Sequence, residues 1–297
     1  MIWRPATADD LNDITDFLYR HVASSMFLLR NLRDHGLDGT AGKAMRMWLR
    51  GSAFDGVVGL TNEGMLLVQA PQATAQDWAD LQRAVVAPYC GTAQLGVLGE
   101  TEQLRRYLSA AGLGHRATRL NRDEPGLALT LSDLQTSCLS RPALANAVLY
   151  PIVAAPRPML VQWRAAYHQE ILGTPATEAV AVAGTDIDGY LLRDSHRILM
   201  VDGDWVAMTG FNARLPGVVQ IGGVYTPPPL RGQGYARAAL ALHLQEAAAE
   251  GVTQAVLFAA GEAAVRAYRG IGFHDIEGYS LVLFDPAAAP SARNPVT

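Results

Sequence analysis

Apolar residues recur along the first half of the chain with two spacings, one typical of amphipathic helices and one typical of buried strands. A short strand comes first, and Thr7 then begins a helix as an N-cap residue followed by acidic positions. The pattern predicts the order strand, two helices, three strands, helix, strand, helix, strand. The predicted strands are residues 2–4, 45–49, 57–60, 65–68, 93–98 and 127–131. Four helices are predicted: one that begins at Leu11, one that includes Met26, and two that span residues 75–86 and 102–111.

The second half of the chain repeats this order. A helix that carries Leu160, Trp163, Tyr167 and Ile171 on one face comes before the strands. The strands predicted are residues 196–201, 205–212, 217–226, 255–259 and 279–284, with helices at 234–250 and 263–270. Two units of the same order indicate an internal duplication. We place the boundary near Cys138, which gives units of residues 1–138 and 139–285 and a flexible Pro/Ala-rich tail at 286–297.

Composition narrows the classes of function. Of 297 residues, 49% are hydrophobic, and the formal net charge is −4. An acidic balance weighs against nucleic acid as the main partner, because phosphate binding needs a basic surface. The two cysteines, Cys90 and Cys138, have no metal-like or redox-like spacing and suit a reducing compartment. With no secretion signal and no apolar run of about 18–20 residues, we expect a cytoplasmic protein without a membrane or metal partner.

The most informative segment is residues 222–237, where a buried strand runs through Pro227 to Pro229 into a glycine-containing loop. Prolines lack the N–H that a sheet needs, so the strand must end there. Gly232 and Gly234 allow close backbone approach, and the first N–H groups of the following helix favour an anion such as diphosphate. Arg231 adds a fixed positive charge. A turn without a ligand is the alternative, and Arg237 stands where a dinucleotide-binding fingerprint needs its third glycine.

At residues 231–236 the sequence resembles the pyrophosphate motif Gln/Arg-x-x-Gly-x-Gly/Ala of the GNAT (GCN5-related N-acetyltransferase) superfamily. Residues 268–273 resemble the family's Tyr-x-x-x-Gly-Phe signature, and the helix around Trp163 resembles an acceptor-side helix of some members. The resemblance covers most of residues 155–284. It implies an α/β fold of the α+β type, with two GNAT-like domains, each a mixed, mostly antiparallel sheet flanked by helices.

The resemblance also implies acetyl-CoA as co-substrate and assigns roles to residues. The strand backbone at Val224, Tyr225 and Thr226 would pair with the pantetheine arm. The residues implied to hold the pyrophosphate are Arg231, Gly232, Gln233, Gly234, Tyr235, Ala236 and Arg237. Tyr268 would protonate the departing thiolate, which leaves more easily when its charge meets a donor. The alternative for Tyr268 is a core aromatic. Gly261 and Ala264 depart from the Asn and Ser of many relatives, so the adenosine side is expected to be held differently.

A base that takes the proton of the amine is harder to name, because four residues are candidates by position: Glu170, Glu178, His196 and Tyr225. We choose Glu170, which follows an apolar helical face, although a solvated surface carboxylate is an equally good interpretation. His243 on the long helix is expected to be structural or exposed.

The first half is predicted to be a degenerate copy. At the equivalent place, residues 69–78 have no Arg and no glycine pair, and Asp77 adds a negative charge near the helix start. The predicted function is therefore an N-acetyltransferase that acts on a primary amine of a small molecule, amino acid or peptide, as a monomer or homodimer. A non-catalytic acyl-CoA sensor is the alternative, and a tRNA-dependent aminoacyl transferase is disfavoured by the negative charge and the intact loop.

Overall fold

Two groups of strands and helices make up the protein, and each group is held together by its own contacts. In the computed structural model, which describes residues 2–51, 54–90 and 94–285, the first unit comprises the residues up to Asp123 and those from Glu277 onward. The second unit is Glu124–Ile276. The predicted boundary at residue 138 therefore falls inside the second unit, and the predicted tail at 286–297 lies outside the described residues.

The first unit begins with the strand and helix order that the sequence predicts. Thr7 forms a capping box with Asp10, and Gly36 follows the end of the second helix as its C-cap. A π-helical turn at Gln82–Val86 joins the third and fourth helices. The elements are β1 (Trp3–Pro5), α1 (Leu11–Arg20), α2 (Val22–His35), β2 (Met45–Arg50), β3 (Gly56–Thr61), β4 (Met65–Gln69), α3 (Ala75–Leu81), α4 (Ala87–Cys90), β5 (Gly96–Glu100) and α5 (Thr101–Ala110).

The second unit adds longer helices and strands. The elements from residue 118 onward, in chain order, are β6 (Thr118–Thr130), β7 (Val148–Pro151), α6 (Arg157–Leu172), α7 (Ala176–Arg193), β8 (His196–Val201), β9 (Asp204–Leu215), β10 (Val218–Tyr225), α8 (Tyr235–Ala249), β11 (Gln254–Phe258), α9 (Glu262–Arg269) and β12 (His274–Phe284). Of these, residues 118–123 of β6 and residues 277–284 of β12 belong to the first unit. None of the helices in the described ranges is long and apolar enough to cross a membrane.

Both units have a mixed, mostly antiparallel sheet, as the resemblance to the GNAT superfamily implies. The strand order is β1-β2-β3-β4-β5-β12 in the first unit and β6-β11-β10-β9-β8-β7 in the second. In the first unit β4 and β5 run parallel, and in the second β10 and β11 do so. A helix connects each parallel pair, because parallel strands need a crossover connection.

In each unit, one strand at the end of the strand order comes from the other half of the sequence. Residues 126–130 of β6 pair with β11 in the second unit, and residues 279–283 of β12 pair with β5 in the first. The sequence predicted both strands but assigned residues 127–131 to the first unit and 279–284 to the second. That assignment was wrong, because an apolar run identifies a strand without identifying the neighbour with which the strand pairs.

Two elements of the second unit were missing from the sequence prediction, namely β7 and α7. In α7 the buried face consists of Ala179, Ala183, Ile187 and Tyr190, while Val180 and Val182 are exposed. Small alanines on the buried face and valines on the exposed face weaken the apolar periodicity, so the sequence pattern gave no clear helix there.

Candidate active site

The sheet of the second unit is irregular next to the predicted cofactor loop. Along β10 the register with β9 shifts between Gly222 and Tyr225, which leaves a bulge at Gly223 and Val224. Gly223 has φ +67°, a left-handed conformation that glycine adopts without steric cost. Bulges free backbone groups from the sheet ladder. The predicted pantetheine contacts Val224, Tyr225 and Thr226 thus lie at and just after the second of two irregular stretches of β10.

The loop after β10 leads directly into the N-terminus of α8. Pro228–Leu230 form a 3-10 turn, and Gly234 with φ +87° is the N-cap of α8. Within the described residues no side chain caps this helix. The first N–H groups of a helix need partners, so those of Tyr235, Ala236 and Arg237 are available to an anion. Gly232 and Gln233 are exposed in the same loop.

Arg231 is engaged by the protein itself. Its Nε donates to the carbonyl of Thr226 at 2.9 Å, and its Nη2 donates to Glu170 Oε2 at 2.6 Å. The guanidinium also lies 5.7 Å from the ring centroid of Tyr225. The structure therefore brings the predicted base and the predicted phosphate-binding arginine together as an ion pair between α6 and the loop. Sequence spacing gave no signal for this pairing.

Tyr225 completes this small cluster, with its ring buried. Burial raises the pKa of the Tyr225 hydroxyl, and the negative charge of Glu170 acts in the same direction. The tyrosine therefore stays protonated near neutral pH, which disfavours it as the base. Glu178, the third predicted candidate, is exposed in the first turn of α7.

Tyr268 lies on α9 with its ring partly buried against the core that contains Val265, Ile271 and Phe273. Burial raises the pKa of its hydroxyl well above the usual value, with further contributions from Tyr167 and Glu124. A tyrosine held protonated is a possible proton donor. The sequence analysis missed Glu124, because the strand predicted at residues 127–131 begins after it and was assigned to the first unit.

A buried polar cluster lies beneath the bulge, between α6, α7 and β8. Asp186 accepts hydrogen bonds from Arg164 Nε at 2.7 Å and pairs with His168 Nε2 at 2.8 Å. Although burial alone would raise the pKa of Asp186, the bonds from His168 and Arg164 lower it to about 2. The cluster therefore contains an ionised carboxylate whose Oδ2 is bound by both Arg164 and His168.

His196, the last of the predicted bases, is completely buried beside this cluster. Its ring stacks on Tyr190 with centroids 3.5 Å apart, and its Nδ1 lies 2.9 Å from Ser195 Oγ. Burial lowers its pKa well below the usual range. Because a base for an ammonium group needs a pKa near the working pH, His196 is better suited to a structural or hydrogen-bonding role as a neutral imidazole. His243 is likewise buried, on α8 against Phe211, as one of the two predicted alternatives had it.

Comparison with known proteins bears on this arrangement. Residues 157–273, which contain α6, the bulge, the loop and α9, match the family described as Acetyltransferase (GNAT) family. Residues 157–273 therefore carry a GNAT-family domain. No curated protein sequence matches it.

Solved structures share the fold over most of the chain. A Drosophila protein aligns at 12% identity with a TM-score of 0.63, covering 96% of this chain and 99% of that one. A GCN5-related N-acetyltransferase from Kribbella flavida aligns at 16% identity with a TM-score of 0.56, covering 89% and 94%. A tandem GNAT protein from the clavulanic acid biosynthesis pathway aligns at 12% identity with a TM-score of 0.54, covering 96% and 98%. These identities establish the fold alone.

The first GNAT-like unit fills its equivalent loop with its own side chains. After β4, Thr74 caps α3, and Asp77 accepts hydrogen bonds from the Thr74 N–H and from Arg50 Nη2, both at 2.8 Å. The Asp77 side chain is only 10% exposed. Burial would raise the pKa of Asp77, but the hydrogen bonds from Thr74 and Arg50 lower it, so the carboxylate is ionised. An internal anion thus occupies the helix start where a phosphate would bind, which supports the prediction of a degenerate unit.

Proposed function

We propose that this GNAT protein is an N-acetyltransferase that moves an acetyl group from acetyl-CoA to a primary amine of a small molecule, amino acid or peptide. The observation that carries the proposal is the loop between β10 and α8, which has the GNAT motif sequence and a helix N-terminus that no side chain caps within the described residues. An anion-binding loop directly after a bulged strand fits a diphosphate with an attached arm.

The reaction proposed is direct attack in a ternary complex. The amine nitrogen bonds to the thioester carbonyl carbon, the carbon–sulfur bond breaks, and the thiolate takes a proton. Tyr268 is the proposed donor of that proton, because its raised pKa keeps the hydroxyl protonated, so that it can hydrogen-bond the thiolate as its charge develops. The backbone of Val224 to Thr226 would orient the arm of the cofactor.

The proton of the amine needs an acceptor. Glu170 remains our proposal, although its carboxylate is half-exposed and paired with Arg231. The pair lies at the end of β10, so the carboxylate is positioned to accept a proton directly or through water. Replacing Glu170 with Gln keeps the shape of the side chain and removes this acceptor.

The test is acetyl transfer by the purified full chain to a panel of amines, followed through release of the CoA thiol. Tyr268→Phe is expected to lower kcat about 100-fold while the KM for acetyl-CoA stays nearly constant, because the hydroxyl acts mainly in the transition state. Tyr150→Phe, whose ring contacts Trp205 elsewhere in the unit, is the matched control and should keep wild-type kcat.

A non-catalytic acyl-CoA sensor is the alternative, favoured by the fact that the proposed base is already ion-paired. Tight binding of acetyl-CoA with no transfer to any amine in the panel would select the sensor. Wild-type kcat in Tyr268→Phe would instead keep the transferase and remove the role of that hydroxyl.

A further inference from the structure

Two arginine side chains lie together beside the cofactor loop of the second unit. Arg141, in the segment before β7, donates from Nη1 to the carbonyl of Gln233 at 3.0 Å. A methyl group built on Gly234 would lie 2.5 Å from Arg141 Nη1 and 3.7 Å from Arg237 Nη2. Arg141 Nη1 and Arg237 Nη2 are therefore no farther apart than the sum of these two distances.

Gly234 leaves the space that Arg141 occupies. Its φ of +87° is a conformation that other residues adopt only with strain, and a side chain there would collide with the Arg141 guanidinium. The glycine of the motif thus has a second consequence in this chain, because it admits an arginine from outside the motif to the loop. Arg141 also lies outside residues 157–273, the part that matches the GNAT family.

Neither arginine of this pair has a carboxylate partner within the described parts of the chain, whereas Arg231 pairs with Glu170, and Arg157 with Asp188. Both charges also reach Cys138: burial raises the pKa of this thiol, and the positive charges of Arg237 and Arg141 oppose that effect. Like charges held this close repel each other, so the pair is more stable with an anion between its members. Guanidinium groups bind phosphate with paired hydrogen bonds.

We propose that Arg141 and Arg237 form a phosphate-binding pair that supplies the charge for cofactor recognition, while Arg231 stabilises the loop through Glu170 and Thr226. The proposal rests on the function proposed above and extends it to selectivity. The enzyme selects acyl donors that carry a phosphate group able to bind to this pair. The group is either the diphosphate or the 3′-phosphate of acetyl-CoA, and both have the same recognition chemistry.

Calorimetric binding of acetyl-CoA, acetyl-dephospho-CoA and acetyl-pantetheine to the full chain tests the pair. Arg141→Gln and Arg237→Gln should each weaken acetyl-CoA binding about tenfold or more, because each loses a charge-assisted hydrogen bond. The affinity of the variants should also fall less steeply with salt than that of the wild type. Acetyl-pantetheine, which has neither phosphate, should bind the variants and the wild type equally.

The arms of the experiment separate the two phosphates. If the pair holds the 3′-phosphate, the wild type loses affinity for acetyl-dephospho-CoA and the variants lose no more. If it holds the diphosphate, the variants lose the same factor with both nucleotides. Arg157→Gln, which removes an exposed arginine paired with Asp188, is the matched control and should bind like the wild type.

Acetyl-CoA binding at wild-type strength in both arginine variants would overturn the inference while leaving the proposed function intact. A wild-type chain that binds none of the three compounds would overturn both. Thermal unfolding of each variant at the wild-type temperature shows that a loss of affinity is not a loss of fold. The exposed position of Arg141 makes its replacement by Gln well tolerated.

Discussion

His196 occupies a slot that exists because the neighbouring strands carry glycine. A methyl group on Gly210 would lie 2.1 Å from the His196 ring, and one on Gly223 would lie 2.8 Å from its Nε2. Distances this short require the ring to move, and the ring is already stacked on Tyr190. The two glycines and the imidazole therefore constrain one another across β8, β9 and β10, directly under the bulge.

Gly210→Ala should lower the free energy of unfolding by about 2 kcal/mol or more, because overpacking a closed core displaces its neighbours. Urea unfolding measures the change. Adding His196→Ala should recover part of the loss, since the ring that collides is gone, and a double-mutant cycle gives the coupling. Gly114→Ala, where nothing lies within 4 Å of the added methyl, is the control. Equal losses with and without His196 would contradict the slot.

His243 makes stability depend on pH. Burial lowers its pKa to about 3, whereas an unfolded histidine titrates near pH 6.5. The unfolded chain therefore binds a proton that the folded chain excludes, and the free energy of unfolding falls as the pH drops from about 6.5 towards 3. At pH 4.5 the loss from this group is about 2.5 kcal/mol relative to pH 7.

His243→Leu should remove about that much of the acid sensitivity, measured by urea unfolding at pH 7 and pH 4.5. His274→Leu replaces an exposed histidine and should keep the wild-type dependence. If the two variants show the same pH dependence, buried His243 does not carry the effect.

Backbone conformation was predictable where a motif fixes it, whereas the contacts that a side chain makes were less predictable. The glycines and prolines of residues 222–237 predicted the turn and the uncapped helix because their φ limits and missing donors are local properties. The Arg231–Glu170 pair, and the placement of Arg141 beside Gly234, join positions far apart in sequence. No local pattern identifies such partners.

The positions of the strands along the sequence were predicted better than the pairing between strands. Nearly every strand of both sheets lies close to its predicted position, because short apolar runs between turn residues indicate buried strands. Which strand pairs with which is decided by the whole fold. Strand β6, in the first half of the sequence, pairs with β11 in the second half, and β12, in the second half, pairs with β5 in the first. The degenerate-unit prediction drew on the absence of an arginine and a glycine pair, which a sequence does display.

The exchanged strands give a test with two fragments. Residues 124–276 retain the five paired positions of β6 on β11, whereas residues 139–285 lack them and leave that edge of β11 unpaired. The first fragment should unfold cooperatively in urea and bind acetyl-CoA. The second should aggregate or lack a cooperative transition, because an unpaired buried edge invites association. Equal stability and equal binding of the two fragments would show that β6 is dispensable.

At the scale of the molecule, two similar units carry one loop suited to a phosphate. In the first unit Asp77 takes the hydrogen bonds at the helix start that an anion would receive, with Arg50 bound to it. Calorimetry with acetyl-CoA should therefore give one site per chain. Two sites of similar affinity would contradict the internal-anion explanation. In the double variant Arg141→Gln, Arg237→Gln, calorimetry should show no acetyl-CoA binding at the first unit.

Strand β12 also has a consequence for how the protein is made. The residues up to Asp123 leave the ribosome without the strand that covers β5, and that strand lies at residues 279–283. At about 5–20 residues per second, the first unit must wait roughly 8–30 seconds for its final strand. During that interval the nascent chain carries an open edge at β5, so a strand that is synthesised much later completes the sheet of a unit whose other strands precede it.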